Sequence, residues 1–392
     1  METPVLLLDF AMVLIAAVIG GTVFRFLRMP RVVGMLVAGI ALGPFTPGFV
    51  VKTEDIASLA LLGAVFLMFS SGLSFDIRTF GVLGNKPFLL AGLGVGLSFA
   101  LGFALGLFVG WSILSSLFLG LILTSTSTTL GLKLMADLGL TDESAYELVA
   151  AAILIDDVVA LTLMTVVLGL AGPEAVPTPL LIVGVLAILA LALLLIVVSR
   201  HTVPRILRFT DRLSPSSTVM VAVSFALLIS FGFAMLGLSP FVGAFFAGSI
   251  VASTQQSSRI ISNMAPVTAI FMAVFFTSVG MLINPAQLVS VALIGVALVA
   301  ISIASKMIPG IIVLRAEKNT SPQGIVMLAA VLVPRAEISL IIAQFGVTIG
   351  AEPELLALAM VVMIATALFP GAVAWLSRWP KVGKPADQES LP

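Results

Sequence analysis

The chain has 392 residues, 60% hydrophobic and 10% charged, with zero formal net charge and no cysteine. A soluble domain carries about 25% charged residues, so a water-covered globule is excluded. The charge balance offers nothing to nucleic acid, and the lack of Cys excludes disulfides and thiolate metal sites.

Breaks at Gly, Pro and charge clusters predict an all-α polytopic membrane protein of thirteen transmembrane helices. The spans run 5–28, 31–49, 55–77, 86–110, 112–138, 143–170, 178–200, 216–238, 239–254, 261–283, 287–314, 322–348 and 354–378. Many approach the roughly 20 apolar residues that cross a lipid bilayer. The first has no basic flank or small-residue cleavage site and reads as a retained span. Alternate loops and the C-terminal tail hold Arg25, Arg28, Arg31, Arg78, Lys86, Lys133, Arg200, Arg205, Arg208, Arg212, Arg259, Arg315, Lys318, Arg378, Lys381 and Lys384; the opposite loops hold Lys52 alone. Basic loops stay cytoplasmic. The N-terminus is therefore expected outside and the C-terminus in the cytoplasm, in the cell's inner (plasma) membrane.

The chain also repeats. "VVGMLVAGIA" (32–41) matches "FVGAFFAGSI" (241–250) at an offset of 209, and "FLMFSSGLSFD" (66–76) matches "VFFTSVGMLIN" (274–284) at 208. That offset moves the sequence by seven spans, an odd number, so the two six-helix halves are expected to be inverted, joined by a linker helix. Inverted repeats mark secondary transporters, with the site at their interface near the midplane.

Five ionisable residues lie deep in the spans: Asp156, Asp157, Lys306, Arg335 and Glu337. Each is disfavoured by about 2.5–3.5 kcal/mol at the bilayer centre. Asp156 lies nine residues past Glu147 and Lys306 nine residues before Arg315, so both sit roughly 13 Å deep. Equal depth permits an ion pair. If Lys306 offsets Asp156 and Arg335 offsets Glu337, the count leaves the charge of Asp157 in excess. Oxygen ligands there suit a hard cation or a proton.

Two spans look discontinuous. Pro334 interrupts "LVPRAEISLIIA", and the repeat offset carries that region onto "LTSTSTTLGLK", with Thr126 and Ser127 at membrane depth. Broken helices at corresponding repeat positions point to a transport site. Plainer readings exist: a protonated structural acid, a snorkelling Lys306, hydroxyls bonded back to their own helix, and Arg335 with Glu337 holding a helix crossing together. Other functional classes are a sodium-coupled organic-anion symporter, a gated cation channel and an intramembrane aspartyl protease. The protease is disfavoured because neighbouring helical residues point about 100° apart.

"ILIDDVV" with the deep Lys306, "TSTSTTLGLKLMADLGL", "VFFTSVGMLIN" and "PRAEISLIIA" together resemble bacterial and archaeal monovalent cation:proton antiporters, above all the NapA-type branch. The resemblance implies a dimerisation domain from 1–84 and 214–285, a core transport domain from 85–175 and 286–380 with crossed discontinuous helices, a linker over 176–213 and a polar cytoplasmic tail over 381–392. It implies a homodimer in the lipid bilayer, with no enzyme activity, no cofactor, no nucleic-acid partner and no soluble regulatory domain. It makes Asp157 the principal cation and proton carboxylate, with Asp156 beside it in the Na+ site and paired with Lys306. A lysine that loses this partner to a cation is expected to give up its proton and act as the second proton carrier. Thr126 and Ser127 stand at the first break, and Arg335 and Glu337 support the core. The implied activity is electrogenic exchange of a monovalent cation, Na+ before Li+ or K+, for protons by an elevator-type motion. The alternative is a K+/H+ antiporter or K+ efflux system of the same family. Ala336 stands where the family usually has Gly, a departure at the second break.

Overall fold

The computed structural model describes residues 3–27, 29–46, 53–73, 84–127, 130–131, 134–135, 138–140, 145–170, 197, 201–212, 214–235, 239–317, 320–335 and 337–377, without the side chains of 3–6, 53–57, 165, 168–170, 215 and 337. Its helices are α1 (Thr3–Phe26), α2 (Arg31–Leu42), α3 (Thr53–Leu73), α4 (Lys86–Phe108), α5 (Ile113–Leu121), α6 (Tyr146–Leu170), α7 (201–211), α8 (Pro215–Met235), α9 (Pro240–Ala252), α10 (Ser257–Met281), α11 (Ala292–Leu314), α12 (Pro322–Val331), α13 (Glu337–Thr348) and α14 (Glu354–Leu376).

Among the described residues, six helices are long and apolar enough to cross a membrane, and five shorter ones are apolar. The expected seventh span, 178–200, lies outside the described residues apart from 197. Three predicted boundaries move. The second span ends at Leu42, because Gly43 is extended and precedes Pro44, which excludes helical backbone before it. The tenth begins a turn earlier, at Ser257. The eleventh splits, since Asn284 caps a short helix, Pro285–Ser290, ahead of α11.

The helices pack in two groups. In one, α3 lies against α9 and α10, α2 against α1 and α10, and α8 against α9. In the other, α4 lies against α5, α6 and α11, while α14 lies against α11, α12 and α13. Helices α6 and α9 touch across the two. The first group closes on glycines. A Cβ on Gly39 would fall 2.0 Å from the Thr277 carbonyl oxygen, and one on Gly248 would fall 2.2 Å from that of Phe69. No other residue tolerates such an approach.

These contacts come in matched sets. Gly39 meets Gly280 as Gly72 meets Gly248, Gly34 meets Gly20 as Gly243 meets Ile229, and Gly102 meets Gly120 as Gly310 meets Ala329. The partners in each set are 208 or 209 residues apart. Ser112 caps α5 by accepting from the Ser115 amide, and Ser321, 209 residues on, caps α12 by accepting from the Gly324 amide.

Candidate functional site

Helix α6 is continuous through its centre and carries Asp156 and Asp157 into the second group, each 1% exposed. Lys306 on α11 is 2% exposed and donates from Nζ to Asp156 Oδ2 at 2.5 Å. The pair that equal depth permits is therefore made, and Lys306 does not snorkel. Thr126 Oγ1 donates to the same Oδ2 at 2.7 Å. Among the described residues no donor reaches Oδ1 of Asp156 or Oδ1 of Asp157.

Thr126 is in position because α5 ends at Leu121 and the chain continues through 122–127 as turns and irregular backbone. The second interruption, 332–335, separates α12 from α13. Pro334 has no N–H to continue a helix. The two interruptions cross and satisfy one another. The Ser127 amide donates to the Pro334 carbonyl at 2.8 Å, Thr126 Oγ1 lies 3.1 Å from the Leu332 carbonyl, and Ser339 Oγ donates to the Ile122 carbonyl at 2.7 Å. Ser127 Oγ accepts from the Leu130 amide at 3.3 Å and starts the chain back into helix. Unpaired peptide groups in lipid would be strongly disfavoured, so the crossing is what makes both breaks tolerable.

Arg335 is fully buried and anchors the crossing. Its Nη1 donates to the Ser125 carbonyl at 2.6 Å and lies 3.5 Å from Thr126 Oγ1. Its Nε donates to Ser302 Oγ at 3.0 Å and its Nη2 lies 3.4 Å from Ser98 Oγ. Its amide donates to Thr366 Oγ1 at 3.0 Å. The pairing of Arg335 with Glu337 expected from the charge count falls on a side chain outside the described residues. The described partners of Arg335 are hydroxyls and a carbonyl.

Three of these partners, Ser98, Ser302 and Thr366, escaped the reading of the sequence, as did Ser305, which bonds Ser98 at 2.8 Å. Isolated hydroxyls in membrane helices commonly bond their own backbone, so none stands out alone. The 207-residue separation of Ser98 and Ser305, close to the repeat offset, was the available signal.

The arrangement places two carboxylates, a lysine, hydroxyls and freed carbonyls in one buried volume. No third Asp, Glu, His or Cys gathers with the acids among the described residues. Among the described residues, the further protein ligands available to a cation here are hydroxyl and carbonyl oxygens, which suit hard ions.

The profile of the family described as "Sodium/hydrogen exchanger, transmembrane" matches residues 13–379. The chain is 28% identical over 369 residues to the Na(+)/H(+)-K(+) antiporter GerN of Bacillus cereus, covering 92% of this chain and 94% of that protein. It is 29% identical over 285 residues to K(+) efflux antiporter 5 of Arabidopsis thaliana, covering 71% of this chain and 50% of that one. Its fold matches the sodium proton antiporter MjNhaP1 of Methanocaldococcus jannaschii with a TM-score of 0.72 at 14% identity, over 96% of this chain and 97% of the other.

Proposed function

As a member of the sodium/hydrogen exchanger family, this chain is a multi-pass membrane cation/proton antiporter and not an enzyme, and we propose that Na+ is the cation it exchanges for protons. The buried contact between Lys306 and Asp156, next to Asp157 on the same helix, carries this reading. In the proton-loaded form Asp157 holds a proton and Lys306 stays charged against Asp156. An arriving Na+ displaces the proton of Asp157 and competes with Lys306 for Asp156. A buried ammonium stripped of its counter-charge neutralises, so Lys306 gives up a second proton. Two protons for one cation make the exchange electrogenic, and it then responds to voltage by about 2.3 kcal/mol per charge per 100 mV. Counting Asp156, Asp157 and Lys306, the proton-loaded form is neutral and the Na+-loaded form carries one negative charge, the difference that makes the exchange electrogenic. The empty form, with both acids ionised and Lys306 neutral, carries two and crosses poorly. That penalty couples the two fluxes. Glu337 supports the second break beside Arg335.

The reading extends to the architecture. The reciprocal glycine contacts and paired serine caps support two inverted six-helix repeats about a linker helix. The two packing groups support a fixed domain and a core that moves past it as an elevator. Exposed Ile15, Val18 and Ile19 on α1 and Leu228 and Phe231 on α8 are available to lipid or to a second copy in a homodimer. We place the N-terminus outside and the C-terminus in the cytoplasm of the plasma membrane.

The test is proton flux in proteoliposomes driven by Na+, Li+ or K+, with and without a membrane potential. Na+-driven flux that doubles as a current supports the proposal. A wild type that moves protons only against K+ selects the second reading, a K+/H+ antiporter, which the matches to GerN and to the Arabidopsis K(+) efflux antiporter favour.

A further inference from the structure

Three glycines alternate along the middle of α4: Gly92, Gly94 and Gly96. Glycine inside a helix is destabilising relative to alanine, so each invites the question of what a methyl group would meet. At Gly92 and Gly96, which are exposed, an added Cβ finds nothing within 4 Å. At Gly94, which is buried, it would lie 3.2 Å from Lys306 Cδ, 3.3 Å from Nζ and 3.6 Å from Cε. The stem of Lys306 therefore lies along the backbone of α4 over this one position. Its ammonium is held by Asp156 at 2.5 Å, and Asp156 is itself held by Thr126 at 2.7 Å. An ion pair at that distance cannot shorten, and a Cβ at 3.2–3.3 Å is tighter than ordinary van der Waals contact. Lys306 must therefore shift by a few tenths of an ångström to admit it, at the expense of its contact with the carboxylate.

We propose that Gly94 is a positioning residue for Lys306: its missing side chain is the slot that lets the ammonium reach Asp156, and the size of the residue there sets how firmly Lys306 holds that carboxylate against an incoming cation. This rests on the role proposed above for the Asp156–Lys306 pair. Larger residues at 94 weaken the internal competitor for Asp156, and the cation then binds at lower concentration.

The test uses the full chain in proteoliposomes of one lipid composition, reading Na+-driven proton flux at one pH. Gly94→Ala lowers the apparent KM for Na+ about threefold or more with kcat changed less than about twofold. Gly92→Ala and Gly96→Ala, on the same helix, leave both unchanged, and in a Lys306→Gln background Gly94→Ala no longer moves KM. A KM for Gly94→Ala equal to that of Gly92→Ala, or a shift that persists without Lys306, overturns the proposal. A Lys306→Gln protein with wild-type KM and voltage dependence is a different failure, that of the pair's role itself. Where a variant gives too little flux for a KM, melting temperature in detergent is read instead. A loss on Gly94→Ala with Lys306 present and absent in Lys306→Ala supports the slot; equal losses in both backgrounds overturn it.

Discussion

The two helix interruptions occupy corresponding places in the halves of the chain, yet they are filled in opposite ways. The break after α5 is lined by neutral groups, with Thr126 and Ser127 turned to Asp156 and to backbone. The break after α12 carries a guanidinium whose donors reach groups on α4, α11 and the first break. Each break also ends a half-helix, whose last carbonyls carry a partial negative charge. Beyond the end of α5 Arg335 donates to the Ser125 carbonyl, while at the end of α12 the Leu332 carbonyl lies 3.1 Å from the Thr126 hydroxyl, whose proton goes to Asp156. A permanent cation thus locks the crossing, while the groups that the first break itself offers to Asp156 are neutral. A site that takes a cation in one step and a proton in the next is served by that division, because neutral oxygens line it without adding positive charge.

The comparison is most exposed to failure at the acids. Asp157→Asn should reduce Na+-driven proton flux in proteoliposomes to the protein-free background while leaving the melting temperature close to wild type; exchange at the normal rate would end the assignment. Lys306→Gln leaves Asp156 buried without its base, a loss of about 3–5 kcal/mol, and should remove the voltage dependence of any remaining exchange. Thermal melting and flux measured with a potassium diffusion potential check the two parts. Arg335→Lys keeps the charge and loses the fork that spans three acceptors, so stability should fall by about 1–3 kcal/mol for each acceptor left bare with the order of cation preference unchanged. An altered preference would mean that the second break belongs to the ion site. Thr126→Val removes one donor to Asp156, about 1.5–3 kcal/mol, and should change the apparent KM for Na+; a KM equal to wild type would move Thr126 from the site into the scaffold. Ser98→Ala, at a residue that bonds Arg335 and Ser305 and not the acids, should lower stability by about 1 kcal/mol with flux intact.

Much of this was legible one residue at a time. Hydropathy alone makes a multi-pass membrane protein, since too few polar residues exist to cover a water-exposed surface. Counting residues from the loops set Asp156 and Lys306 at one depth, and Pro334 with the Thr/Ser run marked both breaks. What sequence could not supply is the direction in which each helix faces its neighbours. Depth is one coordinate along the membrane normal, and rotation and lateral neighbours come from packing. For that reason only the tertiary structure decided that Lys306 reaches Asp156, that Arg335 spends its donors on Ser125, Ser302 and Ser98, and that Gly94 lies beneath the lysine stem. These are meetings of residues on separate helices, chosen by how closely glycine-lined backbones can approach, and no local pattern records them.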